Sequence, residues 1–466
     1  MKNILILGGG FGGLTAVSFF RTHIKSGKVS VTLIDKNNYS LFTPMLAEVV
    51  SGNVKPENIV FPLREICVKN GVRFIKDEVQ NIDTIANKVT CENGEYPFDY
   101  LIVATGSRTN FRGNVSAMKN AFEFKNITDA IHIKYLIIDF LEKASTLTDP
   151  EEKKRLLSFS IIGGGITGVE LASEMNDYIR AKIKKEYSTI MADEYDITIF
   201  EYSKTVLPAI DPSQAEKAQE ILIKNGINVI NGASVDEVGL DCITYKKDGQ
   251  QYTKSSSVTV WTAGVEGQEY LKEMGGDTTP DSRLKITRSL NPQALDAPHV
   301  FVIGDSCAYE FKGKFLPPVA PLAMQQAVMA VKNIMRLING KEPVDFTYLH
   351  FGYLVSLGKN NSVVNLFGIK MRGALAYYIW KGAYLFKIGM FKKQVAVFFD
   401  WVMSFCFGNE SVLIIDQDNC TNCILQKNHK NDKENAAVEC VACILCITYN
   451  TYMRCNDAHS KIAGRD

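Results

Sequence analysis

The chain has 466 residues, of which 46% are hydrophobic and 22% are charged, and its formal net charge is +1. This length suffices for two or three domains, each with a core of its own. The near-neutral charge balance gives no global field that would favour a nucleic-acid partner. No stretch of about 18 uncharged apolar residues occurs, so no transmembrane helix is predicted. The first residues also lack the pattern of a signal peptide.

The first motif is a glycine loop between a predicted strand and a predicted helix. The apolar run Asn3–Leu7 suits a buried parallel strand, and the loop Gly8–Gly13 follows it directly. A helix is predicted over residues 14–22, and a second strand, Val29–Ile34, ends in Asp35. This is the pattern G-x-G-x-x-G in a strand–helix–strand unit, with an acidic residue after the second strand.

The spacing of these glycines has a physical reason. Gly8 permits a tight turn, Gly10 lets the backbone approach a pyrophosphate, and Gly13 lets the helix pack close to the strand. The helix N-terminus attracts the anion, and Asp35 is placed to accept hydrogen bonds from an adenosine ribose. The motif therefore predicts a bound dinucleotide, taken to be FAD, and the alternative is a plain turn.

The same pattern occurs a second time. A short apolar strand, Phe159–Ile162, leads into the loop Gly163–Gly168, and a helix is predicted over residues 169–185. The next strand, Asp196–Phe200, ends in Glu201. An acid at this position favours the free 2′-hydroxyl of NAD(H) over the 2′-phosphate of NADP(H). The alternative is a degenerate loop that binds nothing.

Three further segments are apolar strands that run into small-residue turns: Tyr100–Gly106, Val258–Gly264 and Val300–Asp305. The glycine of the last segment would admit close approach of a cofactor, and its aspartate could bind the ribityl or pyrophosphate region. Two dinucleotide folds in one chain suggest one bound FAD and one transient nicotinamide.

In this order, the motifs resemble those of the two-dinucleotide-binding-domain flavoproteins, and within them the type II NADH dehydrogenases. The segments that carry the closer resemblance are Leu41–Gly52, Gly163–Glu174, Leu316–Ala327 and Trp380–Trp401. The resemblance covers roughly residues 1–410. It implies an α/β fold with two Rossmann-like domains, a C-terminal amphipathic helical region that docks on a membrane, and a separate Cys-rich tail.

The implied division of the chain assigns residues 1–112 with 287–345 to FAD and residues 113–286 to NADH. Residues 346–410 form the membrane-associating region, and residues 411–466 form the tail. The implied activity is electron transfer from NADH through the flavin to a membrane quinone, without proton pumping. The enzyme is expected on the cytoplasmic face of the cell membrane, with a homodimer as a possible assembly.

The glycine loops and the resemblance together give two sets of cofactor residues. Those expected at FAD are Gly8, Gly10, Phe11, Gly12, Gly13, Asp35, Lys36, Thr43, Pro44, Val79, Ala104, Thr105, Gly106, Gly304, Asp305 and Ala323. Those expected at NADH are Gly163, Gly165, Ile166, Thr167, Gly168, Glu170, Glu201, Ala263 and Gly264.

The resemblance also implies catalytic roles for Glu170 and Gln325. Glu170 is expected near nicotinamide and flavin, in the first turn of its helix, where it would handle or position a proton. The alternative is a helix-start glutamate that the helix dipole stabilises. The quinone is expected at Pro321, Gln325 and Lys381. Pro321 replaces a glutamine of the family pattern, and the alternative for Gln325 is a solvated helix face.

The segment Gly373–Gly408 is rich in aromatic residues with lysines between them. This composition suits amphipathic helices in a membrane interface. A buried helical pair that covers the flavin domain is the alternative. Trp380 would lie at the edge of the quinone pocket.

Six cysteines crowd the tail. The spacing of Cys420, Cys423, Cys440, Cys443 and Cys446 suits zinc or an iron–sulfur cluster. Reversible thiol–disulfide chemistry and an unligated tail are the alternatives.

Three other functions compete. A sulfide:quinone oxidoreductase needs a cysteine pair at the flavin, and Cys307 has no evident partner. An NADH:acceptor reductase would pass electrons to a cluster in the tail. A redox-signalling flavoprotein would bind NADH without relevant turnover.

Overall fold

The structure is a computed structural model in which residues 1–413 are described. The tail cysteines from Cys420 onward, and the metal prediction that depends on them, lie outside the described residues. None of the helices in residues 1–413 has the length and apolar character needed to cross a bilayer.

The strands and helices have the following bounds. Strands β1–β9 are Lys2–Leu7, Val29–Asp35, Tyr39–Leu41, Val60–Pro62, Arg73–Lys76, Val79–Asp83, Lys88–Cys91, Glu95–Pro97 and Tyr100–Val103. Strands β10–β19 are Ser107–Thr109, Phe122–Glu123, Ser158–Ile162, Asp196–Glu201, Asn228–Asn231, Ser234–Val238, Cys242–Lys247, Gln250–Ser255, Val258–Trp261 and Val265–Gly267. Strands β20–β27 are Leu284–Lys285, Val300–Val302, Cys307–Ala308, Glu310–Phe311, Lys314–Phe315, Gly352–Ser356, Ser362–Leu366 and Ile369–Arg372. Helices α1–α12 are Phe11–Lys25, Leu46–Val50, Leu63–Asn70, Val115–Asn120, Ile127–Thr146, Pro150–Leu156, Ile166–Lys185, Pro212–Lys224, Tyr270–Glu273, Ala320–Ile338, Ala374–Lys387 and Phe391–Phe407. Three 3-10 turns cover Thr43–Met45, Pro56–Asn58 and Gly304–Ser306.

The first sheet has five parallel strands in the order β21-β9-β1-β2-β5. Its central strand β1 is apolar on both faces because helices cover both sides of a parallel sheet, and Ile4 to Leu7 are almost fully buried. Helix α1 packs along α10. The predicted Rossmann-like unit is confirmed, with α1 starting at Phe11 instead of residue 14.

The second sheet repeats this design in the order β11-β18-β12-β13-β14, again all parallel. A three-stranded antiparallel sheet interrupts each unit: it stands between the third and fourth parallel strands in chain order, β5 and β9, in the first unit, and between the fourth and fifth, β14 and β18, in the second. These sheets are β6-β7-β8 in the first unit and β15-β16-β17 in the second. The repeat of glycine loops in the sequence therefore corresponds to a repeat of whole units.

The segment after β19 packs with the first unit. Leu271, Met274 and Leu284 pack in the core that contains β1 and β9, and β20 pairs with β22. Residues 268–286 had been assigned to the NADH-binding unit. The sequence did not reveal this because short helices and strands after β19 carry no motif.

The C-terminal unit differs from the expected pair of helices. It begins with the antiparallel sheet β25-β26-β27, and only then come α11 and α12. Trp380 is 1% exposed and packs with Leu354 and Val364 of this sheet. Helix α12 buries little of its surface, and Phe398 and Phe399 remain 50% and 58% exposed. One helix face of this segment is thus buried and another is open.

Candidate functional site

The first glycine loop is held by the acidic residue at the end of β2. The Gly8 N–H donates to the Ile34 carbonyl at 2.8 Å, and the Gly9 N–H donates to Asp35 Oδ2 at 2.6 Å. The other oxygen of Asp35 accepts the Asn37 N–H at 2.7 Å. Burial raises the pKa of Asp35, while these two N–H groups oppose the shift.

The second loop is built in the same way. The Gly163 N–H donates to the Phe200 carbonyl at 2.8 Å, and the Gly164 N–H donates to Glu201 Oε2 at 2.6 Å. Glu201 Oε1 accepts the Ser203 N–H at 2.7 Å. Each acid therefore fixes its own loop as well as standing where a ribose would bind, a function that the sequence pattern did not reveal.

Glycines close both loops and leave an opening in each. A Cβ on Gly13 would lie 1.8 Å from the Gly8 carbonyl oxygen, and one on Gly168 would lie 2.0 Å from that of Gly163. In contrast, a Cβ on Gly10 or Gly165 would meet no atom within 4 Å. These two glycines stand at the starts of α1 and α7, where helix N-termini offer N–H groups to an anion.

The strand ends beside the loops complete each cradle. The Ala104 N–H donates to the Leu7 carbonyl at 2.8 Å, and the Thr262 N–H donates to the Ile162 carbonyl at 2.8 Å. A Cβ on Gly8 would collide with the Ala104 carbonyl, and one on Gly163 would collide with Ala263. The predicted turn residues 104–106 and 263–264 are thus brought to the two loops.

Gly304 and Asp305 belong to the 3-10 turn Gly304–Ser306, which packs against α10. Gly304 has a φ of +69°, and its N–H donates to Gln326 Oε1 at 2.8 Å. Asp305 Oδ2 accepts the Ser107 hydroxyl at 2.8 Å, and Lys125 Nζ donates to that hydroxyl at 2.7 Å. Burial lowers the pKa of Lys125, and the charge of Asp305 opposes this. Sequence reasoning missed Gln326, Ser107 and Lys125 because each acts through a neighbour that is remote in sequence.

Other predicted FAD residues surround the same region less closely. Thr43 and Pro44 form a 3-10 turn before α2, and Thr105 Oγ1 lies 3.2 Å from Ser306 Oγ. Lys36 forms an exposed ion pair with Glu78, and Val79 begins β6. Ala323 lies next to Gly304, since a Cβ on that glycine would come within 3.1 Å of it.

Glu170 is buried where α7 meets the C-terminal sheet. Because α7 begins at Ile166, Glu170 lies in the second turn, so the predicted first-turn position is wrong. Its Oε1 accepts the Ser356 N–H at 3.0 Å. Burial raises the pKa of Glu170 to about 8, against the effect of that N–H, and the charge of Glu174 adds to the rise. Glu170 is thus held by the N–H of Ser356 in β25, and the alternative of a glutamate stabilised by the helix dipole does not describe its position.

Two more carboxylates are buried nearby. Glu174, one turn after Glu170, accepts the Ser51 hydroxyl and the Asn53 side-chain amide. Burial raises the pKa of Glu174 to about 8, and the charge of Glu48 adds to the rise. Glu48 itself is 1% exposed, and Lys381 Nζ donates to its Oε1 at 3.0 Å. Neither Glu48 nor Glu174 belongs to a pattern that would have identified it from the sequence.

The predicted quinone residues lie on two different elements. Pro321 stands in the first turn of α10. Gln325 is already engaged, because its amide donates to the Leu349 carbonyl at 2.9 Å and accepts the Leu349 N–H at 3.0 Å. This contact ties α10 to residue 349 and differs from the solvated helix face considered above. Lys381 belongs to α11, next to Glu48.

Cys307 does not have the surroundings of a reactive thiol. Its Sγ donates to the Gly304 carbonyl at 3.2 Å, and burial raises its pKa to about 12. Within residues 1–413, all cysteines are free and no group of three metal-ligating side chains is present.

Comparison with known families and proteins agrees with this geometry. Residues 2–330 match the family model of the pyridine nucleotide-disulphide oxidoreductases, and residues 350–410 match the NDH2 C-terminal domain. A probable NADH dehydrogenase of Dictyostelium discoideum is 30% identical over 88% of this chain and 90% of its own. A type II NADH:quinone oxidoreductase of Staphylococcus aureus is 29% identical over 83% of this chain and 96% of its own.

Solved structures show the same fold. NDH2 from Plasmodium falciparum in complex with NADH has a TM-score of 0.81 at 22% identity, covering 88% of this chain and all of that one. A sulfide:quinone oxidoreductase from Aquifex aeolicus has a TM-score of 0.68 at 18% identity, covering 88% of this chain and 96% of that one. With both family models matched in order along the sequence, the chain belongs to the pyridine nucleotide-disulphide oxidoreductases and, among them, to the type II NADH dehydrogenases.

Proposed function

We propose that this protein is an FAD-dependent NADH:quinone oxidoreductase that does not pump protons. The observation that carries the proposal is the pair of glycine loops, each held by a carboxylate and each open at its helix N-terminus. One loop would hold the resident FAD, and the other would hold NADH during turnover. Relatives named as type II NADH:quinone oxidoreductases support this reading.

The described residues fit FAD. The open space at Gly10 suits a pyrophosphate, and the N-terminus of α1, which begins directly after Gly10, offers N–H groups and a favourable dipole. Asp35 keeps acceptor capacity for ribose hydroxyls, because a carboxylate has about four lone-pair sites and two are used. Bound FAD would supply acceptance of a hydride and release of electrons.

At the second loop, Glu201 would select NADH over NADPH. Its carboxylate is buried, and two N–H groups fix its orientation. The 2′-phosphate of NADPH would therefore be repelled by a carboxylate that cannot rotate out of the site. Gly165 would let the NADH pyrophosphate approach α7.

Glu170 would hold the proton that accompanies reduction of the second substrate. A carboxyl with a pKa of about 8 is mostly protonated at neutral pH, which is the state that a proton donor needs. Pro321 offers no side-chain donor at the position of the family glutamine, and the Gln325 amide is bound to Leu349. Lys381 is therefore the donor that remains from the predicted set for a quinone oxygen.

We propose peripheral attachment to the cytoplasmic face of the cell membrane through α12. Its exposed side carries Phe391, Phe398, Phe399, Phe405 and Phe407. A helix with this composition lies in an interface with its apolar face among the lipids. A homodimer is proposed on resemblance alone.

The division into an FAD-binding domain, residues 1–112 with 287–345, and an NADH-binding domain, residues 113–286, is likewise a proposal. The packing of Leu271 and Leu284 supports a return to the first domain near residue 268. Residues 346–410 would form the membrane-associating domain, and residues 411–466 the tail.

For the tail, we propose a zinc ion or an iron–sulfur cluster on Cys420, Cys423, Cys440, Cys443 and Cys446, because thiolates at these spacings suit such groups. A tail cluster as electron acceptor is the second candidate function. Sulfide oxidation is not favoured, because Cys307 is buried and engaged.

The first test separates the two loops. Gly10→Ala is expected to weaken FAD binding by roughly tenfold or more, because the added Cβ occupies the space left for the pyrophosphate. Gly165→Ala is expected to retain FAD and to raise the KM for NADH by a similar factor. Flavin content and NADH titrations measure these effects. Unfolding of the apoproteins should not change, and an unchanged KM in Gly165→Ala would contradict the assignment.

The second test concerns Glu170. Turnover with quinone is expected to fall as the pH rises through about 8. Glu170→Gln should abolish this pH dependence and lower the rate by roughly 10²-fold.

The raised pKa of Glu170 also affects stability. As the pH rises, the unfolded chain releases this proton at a lower pH than the folded chain does, so the free energy of unfolding should decline between the ordinary glutamate pKa and about 8. Glu170→Gln should remove the share of Glu170 from that decline, while Glu174, whose pKa burial also raises to about 8, keeps its own share, as pH-dependent urea unfolding would show.

The third test concerns the two half-reactions. NADH should bleach the flavin of the anaerobic enzyme, and an added quinone should restore its colour, whereas NADPH should act more slowly by at least about tenfold because of Glu201. Stopped-flow absorbance follows both steps. The proposed activity is wrong if NADH causes no bleaching or if no quinone of a panel accepts the electrons.

The fourth test concerns the membrane. Replacing Phe398 and Phe399 by serine should weaken binding to anionic lipid vesicles by about 10²-fold, because burial of each phenylalanine contributes about 1.5 kcal/mol or more. Phe19→Ser is the matched control, since Phe19 is 50% exposed on α1. Turnover with a water-soluble quinone should remain normal in both proteins, and equal vesicle binding by both would exclude α12 as the anchor.

A further inference from the structure

Glu48 of α2 is a buried carboxylate whose two hydrogen-bond donors come from the C-terminal unit. Lys381 Nζ of α11 donates to Oε1 at 3.0 Å, and the Trp401 indole N–H of α12 donates to Oε2 at 2.9 Å. The side chain of Glu48 is 2% exposed. Both oxygens are thus committed to groups more than 300 residues later in the sequence.

Lys381 is enclosed on the remaining sides by aromatic rings. Its Nζ lies 4.0 Å from the ring centroid of Trp401 and 5.2 Å from that of Tyr377. The side chain of Lys381 is 15% exposed. Among the ion pairs of residues 1–413, Lys381 has Glu48 as its anionic partner, so the position of the ammonium group depends on that carboxylate.

The surroundings offer a competing partner. Glu174 is buried in the same region, and the charges of Glu48 and Lys381 act on its pKa in opposite directions. The Glu174 carboxylate is occupied by Ser51 and Asn53. Without the charge of Glu48, which contributes to the raised pKa of Glu174, the Glu174 carboxyl would ionise more readily and draw the ammonium group toward it, because a buried cation keeps an anionic partner where one is available.

Helix α12 does not need Glu48 to stay in place. Asp400 accepts the Lys55 N–H and the Asn58 amide, at 3.0 and 2.7 Å. Ser404 donates to Asn53, and the Asn409 amide donates to the Ser51 carbonyl. The bond from Trp401 to Glu48 is therefore redundant for docking, and its remaining effect is to orient the carboxylate that holds Lys381.

We propose that Glu48 is a positioning residue that fixes the Lys381 ammonium group at the binding site of the electron-accepting substrate. This proposal rests on the proposed function, in which Lys381 meets a quinone oxygen. According to this proposal, Glu48 of α2 in the FAD-binding unit fixes the position of a substrate-binding side chain on α11 of the C-terminal unit.

The test is a double-mutant cycle with Glu48→Gln, Lys381→Met and both together. Stopped-flow absorbance would follow flavin reduction by NADH and flavin reoxidation by ubiquinone-1 as separate steps. Glu48→Gln should leave reduction by NADH at the wild-type rate and slow reoxidation by about tenfold to a hundredfold, as a misplaced group does. In the Lys381→Met background, Glu48→Gln should have no further effect, because Glu48 acts through Lys381.

The controls separate positioning from folding. Asp400→Asn weakens the hydrogen bonds from Lys55 and Asn58 to α12 without changing the contacts of Lys381, and it should leave flavin reoxidation unchanged. Trp401→Phe keeps the ion pair but frees one oxygen of Glu48, and it should slow reoxidation less than Glu48→Gln does. This variant also serves if Glu48→Gln does not fold, as judged by flavin content and thermal unfolding.

Three results would overturn the proposal: wild-type reoxidation in both Glu48→Gln and Trp401→Phe, multiplicative effects of Glu48→Gln and Lys381→Met, or equal slowing in Asp400→Asn. Failure of the proposed function looks different, because wild-type protein would then not be reduced by NADH or not be reoxidised by the quinone.

Discussion

Three carboxylates, those of Glu170, Glu174 and Glu48, are buried at one junction, where α2 and α7 meet the C-terminal unit. A carboxylate removed from water is costly unless other groups donate hydrogen bonds to it or it takes up a proton. Glu170, Glu174 and Glu48 meet this requirement with donors from β25, from residues 51–53 and from α11 and α12. The C-terminal unit is therefore tied to both dinucleotide-binding units by the same groups that can handle protons and charge.

The two glycine loops are built alike, whereas the residues proposed for the quinone do not repeat either loop. The two glycine loops share their turn bond, their anchoring carboxylate and their open second glycine, since pyrophosphate binding imposes the same geometry twice. The proposed acceptor site has no such repeated ligand. There Pro321 offers no side-chain donor, Gln325 is bound to Leu349, and Lys381 is held by Glu48.

Further side-chain hydrogen bonds fix the region of the first loop. Gln326 fixes the Gly304 N–H, and the series Lys125, Ser107 and Asp305 connects the residues just before α5 with the 3-10 turn Gly304–Ser306. A resident cofactor benefits from a rigid, enclosed site, because pre-organisation lowers the cost of ordering on binding. A substrate that must leave after each turnover does not need the same enclosure.

The sequence alone determined the two Rossmann-like units, the carboxylates Asp35 and Glu201, and the family. It could do so because strands, glycine turns and strand-end acids are local patterns with a fixed spacing. It did not reveal the packing of Leu271 and Leu284 with the first unit or the sheet β25-β26-β27, because these segments carry no such pattern. The contacts of Glu170 with Ser356 and of Glu48 with Lys381 are visible only in the folded chain. Residues so far apart in sequence meet because whole units pack together, and such packing produces no recognisable spacing between motifs.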